Sequence, residues 1–271
     1  TVTVKSIGKS ADGRDIYDVI VGNPNASKKI LFQGAIHARE YIVVPLMMQQ
    51  LEYLAAGFTN NGTYMTQPLS NILGQVAFHF VPMLNPDGVT ISQMGENGIQ
   101  SEELRQTMQA AYAADKASSR TTVSYEEYMR RWKANARGVD LNYNFAANWE
   151  GINVSLTHPS ANGYKGTNPL SEPESQAIAN LIQGTGCGYQ LSCDGKCDLL
   201  GYAEQPESGR VQGAGKRCSC LEWLFRSWKQ GRRRLEGLAA AGSRHPWYHD
   251  RGRTFHLPGI FLGISGDLEP E

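Results

Sequence analysis

The sequence contains a histidine and a glutamate three positions apart, His37 and Glu40, directly after an apolar run. An imidazole nitrogen and a carboxylate oxygen both suit zinc, and a catalytic zinc ion takes three protein ligands and a water molecule. Two such residues at the end of a buried strand can point at one ion from a tight turn. The spacing alone is weak evidence, because a surface ion pair is the commoner explanation. His37 and Glu40 are therefore a candidate half of a metal site.

The segments around this pair predict the elements that would position it. Residues 29–36, KILFQGAI, form an apolar run typical of a strand buried on both faces, and residues 74–84 form another. Residues 40–57 repeat apolar positions at helical spacing and stop at a glycine. Residues 1–22 predict a hairpin, residues 85–88 (NPDG) predict a turn, and further helical stretches follow at 101–117, 124–133 and 171–182. This alternation predicts an α/β fold with a central mixed, mostly parallel sheet flanked by helices.

The composition excludes several classes of partner. The chain has 271 residues, 41% of them hydrophobic and 19% charged, and its net charge is zero. Nothing in this balance favours nucleic acid or an anionic membrane as partner, and no apolar run of about 18 residues predicts a membrane span. The first residues lack a charged-then-apolar leader, which predicts that any secretion signal is absent or removed. We expect a monomer.

Four motifs extend the chemistry beyond the first pair. GAIHAREY, VPMLNPDGV, NARGVDLNYNF and YKGTNPLSEPES follow one another in this order. Together they resemble the zinc metallocarboxypeptidase family, of the carboxypeptidase A type and its bacterial branch, over about residues 5–183. The resemblance implies that His37 and Glu40 are the first two ligands of a Zn²⁺ cofactor. It also implies an enzyme, a zinc peptidase that hydrolyses a peptide substrate.

The same resemblance assigns residues to substrate binding. It implies that Asn142 helps to hold the terminal carboxylate of the substrate. The family places an arginine after this asparagine, whereas this sequence has Tyr143. A guanidinium group is the natural bidentate partner of a carboxylate, and tyrosine supplies no such charge. Tyr143 therefore favours the bacterial enzymes that cut γ-D-glutamyl and diamino-acid linkages in cell-wall peptides over an ordinary carboxypeptidase.

The segment RRWKANARG matches the family region that supplies a cation to the carbonyl oxyanion. Lys133 lies at the matching position and Arg137 is the second candidate, because a cation there would stabilise charge in the transition state. A solvated charged helix end is an equally good interpretation of each residue alone. Four other residues are interpreted as structural: Asp87 in a turn, Glu172 at a helix start, His79 in a strand and His158 in a loop.

The second half of the predicted site is missing from the written sequence. The family needs a third zinc ligand, a histidine after the SEPES helix, and a glutamate as general base for the zinc-bound water. After residue 184 neither occurs in a recognisable setting. This stretch contains all five cysteines: Cys187, Cys193, Cys197, Cys218 and Cys220. A cysteine metal cluster and a disulfide framework are both open alternatives, although the spacings and the odd count favour neither.

A shifted reading frame is the third explanation of this stretch. If the back-translated sequence is read one nucleotide later, residues 187–202, 232–240 and 245–253 can read AAISYHATGSVIYWDT, GGGLKDWLQ and IPGITIEVG. These strings contain the S-Y-H and I-T-I-E settings in which the family carries its third ligand and its base. We therefore interpret 1–183 as the N-terminal part of a zinc carboxypeptidase-like domain. Residues 184–271 are its C-terminal part, frameshifted or disordered as written.

Two functions remain open on the sequence. The first is a zinc-dependent peptidase of carboxypeptidase type or one that cleaves cell-wall peptides, with the peptidoglycan stem peptide as a candidate substrate. The alternative is a catalytically dead family member that binds a peptide or the cell wall without hydrolysing it.

Overall fold

The computed structural model describes residues 2–64 and 66–183, together with the backbones of residues 187–191 and 197–200. Six strands of this part form one mixed sheet in the spatial order β1-β2-β6-β3-β7-β8. Their bounds are β1 Val2–Lys9, β2 Asp15–Gly22, β3 Lys28–Gln33, β6 Val76–Val81, β7 Cys187–Leu191 and β8 Cys197–Leu200. Two short strands, β4 Thr63–Tyr64 and β5 Gln67–Pro68, pair separately. The central mixed sheet predicted from the sequence is confirmed.

The directions of the strands depart from the expected mostly parallel arrangement. Strand β3 pairs in parallel with β6 and with β7, at the centre of the sheet. The other three pairings, β1 with β2, β2 with β6, and β7 with β8, are antiparallel. The pairing of β1 with β2 confirms the predicted hairpin. The links between β1 and β2 and between β7 and β8 are so short that they allow only antiparallel neighbours.

Six α-helices flank these strands in the described residues. They are α1 Val43–Thr59, α2 Leu69–Gln75, α3 Pro86–Met94, α4 Glu102–Ala117, α5 Tyr125–Arg130 and α6 Pro173–Gln183. Helix α1 continues two residues beyond the predicted stop at Gly57. The predicted turn at 85–88 is instead the start of α3, because the side chain of Asn85 accepts the Gly88 N–H at 2.9 Å and caps the helix.

Two apolar clusters surround the end of β3. One lies between the sheet and α6 and includes Ile16, Leu31 and Ile178, each 0% exposed. The other joins Ala38 to α4 and α5 and includes Met108 and Trp132, also 0% exposed. The turn that follows β3 is therefore supported from both sides by close packing.

The remaining predictions for 184–271 fall mostly outside the described residues. Of strand β7 only the backbone is described. The cysteine alternatives, the shifted strings, the third ligand and the general base lie outside the residues whose side chains are described. No helix in the described ranges is both long and apolar enough to cross a membrane.

Candidate metal centre

His37 and Glu40 lie on a tight turn at the carboxyl end of β3. The chain leaves the sheet at Gly34, whose N–H donates to the Val81 carbonyl at 2.9 Å, and Glu40 ends the short 3₁₀ helix Ala38–Glu40. The backbone at Gly34 passes so close to α1 that an added Cβ would lie 2.5 Å from Met47 Sδ. The same Cβ would lie 3.0 Å from the Pro82 carbonyl oxygen, so glycine is favoured where the chain turns toward the site.

The two candidate ligands face each other inside the protein. Nδ1 of His37 lies 3.0 Å from Oε1 of Glu40. Their side chains are 11% and 10% exposed, which is unusual for a simple surface ion pair. The geometry brings one imidazole nitrogen and one carboxylate oxygen together, as the spacing predicted.

Asp140 lies on the other side of the imidazole ring. Its Oδ1 is 3.6 Å from Nε2 of His37, and its side chain is completely buried. Nε2 is buried as well and has no hydrogen-bond partner among the described residues. A carboxylate behind a histidine ligand commonly fixes the tautomer and orientation of the ring. Asp140 was missed in the sequence analysis, although it stands in the motif GVDLN two residues before Asn142.

Lys133 is held at this site by the same carboxylate. Its Nζ lies 3.0 Å from Oδ2 of Asp140 and 5.8 Å from the centre of the Tyr143 ring. The backbone links Lys133 to the turn that carries His37 and Glu40, because the Ala38 N–H donates to the Lys133 carbonyl at 3.1 Å. Of the two candidate cations, Lys133 is therefore connected directly to the His37 turn.

Arg137 belongs to a different neighbourhood. Its side chain is 49% exposed, and Nη1 lies 3.8 Å from Oε2 of Glu172.

Of the two substrate-binding candidates, Asn142 is exposed and donates its backbone N–H to Oδ1 of Asp140 at 3.3 Å, while Tyr143 is half-buried. The structure thus places Lys133, Asn142 and Tyr143 around Asp140 and directs Arg137 toward Glu172.

Asn85 connects the two segments that form the site. Its amide nitrogen donates to the carbonyl of Ile36 at 3.1 Å and to that of Ala134 at 3.0 Å. These carbonyls stand next to His37 and Lys133, and Asn85 itself is 0% exposed. A buried amide that satisfies three backbone groups fixes the separation of the segments. Sequence patterns gave no indication of this role beyond the turn-forming motif.

The histidines interpreted as structural lie in other settings. His79 is in β6, and its Nδ1 lies 2.8 Å from Oδ2 of the buried Asp18. His158 is in a loop, with Nδ1 3.0 Å from the Pro159 carbonyl. Glu172 precedes α6 as predicted, whereas Asp87 lies in the first turn of α3 rather than in a free turn.

The residues present fit half of a zinc site. A shared ion would take Nδ1 of His37 and the carboxylate of Glu40, which leaves the Nε2–H directed at Asp140. No group of three or more His, Cys, Asp or Glu side chains in the described part of the chain is arranged to hold a metal. The pair would need at least one further protein ligand to match a catalytic zinc site.

The fold and this half-site together define an α/β protein with a candidate metal centre at the carboxyl end of a central strand. The chain matches the sequence profile of the Peptidase_M14 family, described as zinc carboxypeptidase, over residues 1–205. It therefore belongs to the zinc carboxypeptidase family, as its motifs predicted. The match continues past residue 183, where the resemblance of the motifs ends.

Two curated proteins and one solved structure illustrate the similarity. The chain is 28% identical over 242 residues to gamma-D-glutamyl-L-diamino acid endopeptidase 1 of Lysinibacillus sphaericus, covering 83% of this chain and 57% of that protein. It is 26% identical over 218 residues to inactive metallocarboxypeptidase ECM14 of Ajellomyces dermatitidis, covering 75% and 30%. The crystal structure of carboxypeptidase A from Helicoverpa armigera aligns with 70% of this chain and 40% of that one, at 23% identity and a TM-score of 0.47. The chain spans a little more than half of the length of the first curated relative and less than a third of the second.

Proposed function

We propose that the protein is a zinc-dependent peptidase that hydrolyses peptide bonds in bacterial cell-wall peptides. The observation that carries the proposal is the buried pair His37 and Glu40, with Asp140 behind the imidazole, in a chain of the zinc carboxypeptidase family. A bound zinc ion would polarise the scissile carbonyl and lower the pKa of its water. His37 and Glu40 would hold the ion, and Asp140 would orient His37.

Lys133 is the proposed cation for the oxygen of the scissile carbonyl. An ammonium group has three N–H donors, and Asp140 accepts from one side of it at 3.0 Å. Donors therefore remain for an oxygen that gains negative charge in the transition state. The neighbouring Tyr143 ring also stabilises the ammonium in this position.

The substrate class follows from the residue beside Asn142. A free terminal carboxylate needs a cation, and the only cation that the described contacts join to Tyr143 is Lys133, which is already assigned to the oxygen of the scissile carbonyl. Tyr143 instead offers a hydroxyl group and an aromatic face, which suit an uncharged part of a longer peptide. The similarity to a gamma-D-glutamyl-L-diamino acid endopeptidase supports a peptidoglycan stem peptide as substrate, and this substrate implies a location outside the cell or at the cell wall.

The alternative function is a binding protein without turnover. The observation in its favour is that no group of three or more His, Cys, Asp or Glu side chains among the described residues is arranged to hold a metal, so the pair has no third ligand there. The similarity to a fungal protein named as an inactive metallocarboxypeptidase supports the same possibility. Such a protein would keep the peptide cleft and lose the hydrolytic step.

One experiment separates these functions. The purified chain is dialysed against zinc, its metal content is measured, and hydrolysis is followed on a γ-D-glutamyl–diamino-acid peptide and on a C-terminally free control peptide. About one zinc per chain with cleavage of the first peptide supports the enzyme. Peptide binding without cleavage at full zinc occupancy supports the binding protein and overturns the proposed enzyme.

A further inference from the structure

A buried cluster of acidic side chains lies next to the candidate metal centre without belonging to it. Its four carboxylates come from three segments: Asp12 from the β1–β2 turn, Asp87 from α3, and Glu172 and Glu174 from the start of α6. The side chains of Asp12, Asp87 and Glu172 and the whole residue Glu174 are each at most 4% exposed. So many buried carboxylates require either compensating cations or bound protons.

The available cations do not contact Glu174. Arg14 donates from Nη1 to Oδ2 of Asp12 at 2.6 Å and to Oδ1 of Asp87 at 2.7 Å. Arg137 approaches Glu172 at 3.8 Å. Among the described residues no ion pair involves Glu174, which is 0% exposed. Glu174 is thus the carboxyl group of the cluster that depends most on a proton.

Two neutral N–H donors hold the Glu174 side chain. The Ala11 N–H donates to Oε1 at 3.1 Å, and Nδ2 of Asn135 donates to Oε2 at 3.1 Å. Burial raises the pKa of Glu174 to about 7, and the negative charge of Asp87 adds to the increase. These hydrogen bonds oppose the increase without cancelling it. Glu174 therefore exchanges its proton near neutral pH.

Asn135 connects this carboxyl group to the loop of the metal centre. Its Oδ1 accepts the N–H groups of Arg137 and Val139, both at 3.1 Å. The loop that it organises begins at Lys133 and ends at Asp140, which form the ion pair beside His37. A change in the position of Asn135 would therefore move both residues of that ion pair.

We propose that Asn135 is a positioning residue for the Lys133–Asp140 loop, and that it holds the loop most firmly while Glu174 carries a proton. Nδ2 of Asn135 also donates to Oε2 of Glu172 at 2.7 Å. When Glu174 ionises near Asp87, hydration of its charge outweighs the hydrogen bonds from Ala11 and Asn135, and these contacts open. Any effect of this opening on catalysis rests on the proposed function, whereas the opening of the Glu174 contacts does not.

The pH dependence of the opening follows from linkage. The pKa of Glu174 is raised in the closed form, to about 7, above the ordinary value of 4.5 that applies once the side chain is hydrated. The closed form, in which Glu174 contacts Ala11 and Asn135, is therefore most stable at low pH. Its stability falls as the pH rises from 4.5 to about 7 and changes no further above that range.

Hydrogen exchange of backbone amides in the whole chain tests this proposal. The reporters are the N–H groups of Ala11, Arg137 and Val139, which donate to Glu174 or Asn135. After correction for intrinsic base catalysis, their opening constant in the wild type should rise several tens of fold from about pH 5 to about pH 8. Glu174→Gln should remove that rise, and the exposed control Glu103→Gln should keep it.

The proposal is overturned if wild type and Glu174→Gln show the same pH dependence at these amides. If Glu174→Gln does not fold, the wild type still decides, through comparison with the remote amides of Asn60 and Ser118. A rise confined to the three reporters supports the proposal, and an equal rise everywhere, or none, overturns it. Because exchange needs neither zinc nor turnover, failure of the proposed enzyme would leave this test unaffected.

Discussion

Oδ1 of Asp140 lies 3.6 Å from Nε2 of His37, while Nδ1 of the same ring faces Glu40 at 3.0 Å. The imidazole is therefore placed between two carboxylates, one beside the candidate metal position and one behind the ring. With a metal ion at Nδ1, the proton of the ring would be on Nε2, the side that faces Asp140.

Replacing Asp140 by asparagine should weaken zinc binding about tenfold to hundredfold, because the ring loses the carboxylate that orients it. His37→Ala should have a larger effect, since it removes a ligand. Zinc affinity is measured by competition with a chelator of known affinity. Glu126→Gln, at a side chain that is 77% exposed, is the control and should leave affinity unchanged. Equal affinity of Asp140→Asn and wild type would contradict the role of Asp140.

Replacing Lys133 by alanine should lower kcat by about a hundredfold to a thousandfold, as expected for loss of one group that stabilises the oxyanion. Arg137→Ala should change kcat much less, because Arg137 is half-exposed and faces Glu172. The two variants are compared in steady-state hydrolysis, with thermal unfolding as a check on folding. A larger loss in Arg137→Ala would reverse the assignment of the cation.

Replacing Tyr143 by arginine should increase kcat/KM for peptides with a free terminal carboxylate relative to the same peptides with an amidated terminus. The guanidinium group would supply the bidentate partner that tyrosine lacks. Tyr143→Phe is the matched control, because it keeps the ring against Lys133 and adds no charge. An unchanged ratio in Tyr143→Arg would show that this position does not select the terminus.

Replacing Tyr128 by phenylalanine should reduce the free energy of unfolding by about 1–3 kcal/mol. The hydroxyl group donates to Oδ2 of the buried Asp115 at 2.6 Å and accepts the Ala161 N–H at 3.0 Å, so its removal leaves two buried groups without this partner. Urea unfolding gives the value. At the exposed Tyr17 the same change should stay within about 0.5 kcal/mol, and an equal loss at both positions would rule out the buried network as the cause.

Mass spectrometry of peptides from residues 184–271 would decide between the written and the shifted sequence. Peptides that carry the S-Y-H and T-I-E-V strings would supply the third ligand and the general base, and zinc binding should then approach that of a complete site. Peptides that match the written YQLSCDGK and HPWYHDR would show that His37 and Glu40 stand without those two residues.

The sequence predicted the local part of the site and missed the long-range part. His37 and Glu40 could be recognised because both lie on one turn after a hydrophobic strand. Asp140 and Asn85 could not, since their roles depend on contacts with residues about a hundred and about fifty positions away. The motif NPDG at residues 85–88 is typical of a turn, and nothing within these four residues shows that the chain continues as a helix.

The antiparallel pairing of β1 with β2 was predicted as a hairpin, whereas that of β2 with β6 was missed for a related reason. Apolar runs such as β3 and β6 indicate burial on both faces, which is typical of parallel strands, and these two strands do pair in parallel. Strand β1 is mostly exposed, and its direction depends on how short its connection to β2 is. Connection length is visible in the sequence only after the ends of the strands are known.

The bonds that shape the turn of His37 and Glu40 join residues that all precede β7 and β8 in the chain. Asn85 connects Ile36 with Ala134, and Asn135 connects the same loop with Glu172 and Glu174. On a ribosome, these contacts become available once the start of α6 has emerged, before β7 and β8 are added. The His37–Glu40–Asp140 arrangement can therefore form first, and β7 and β8 then pair with a sheet that is already folded.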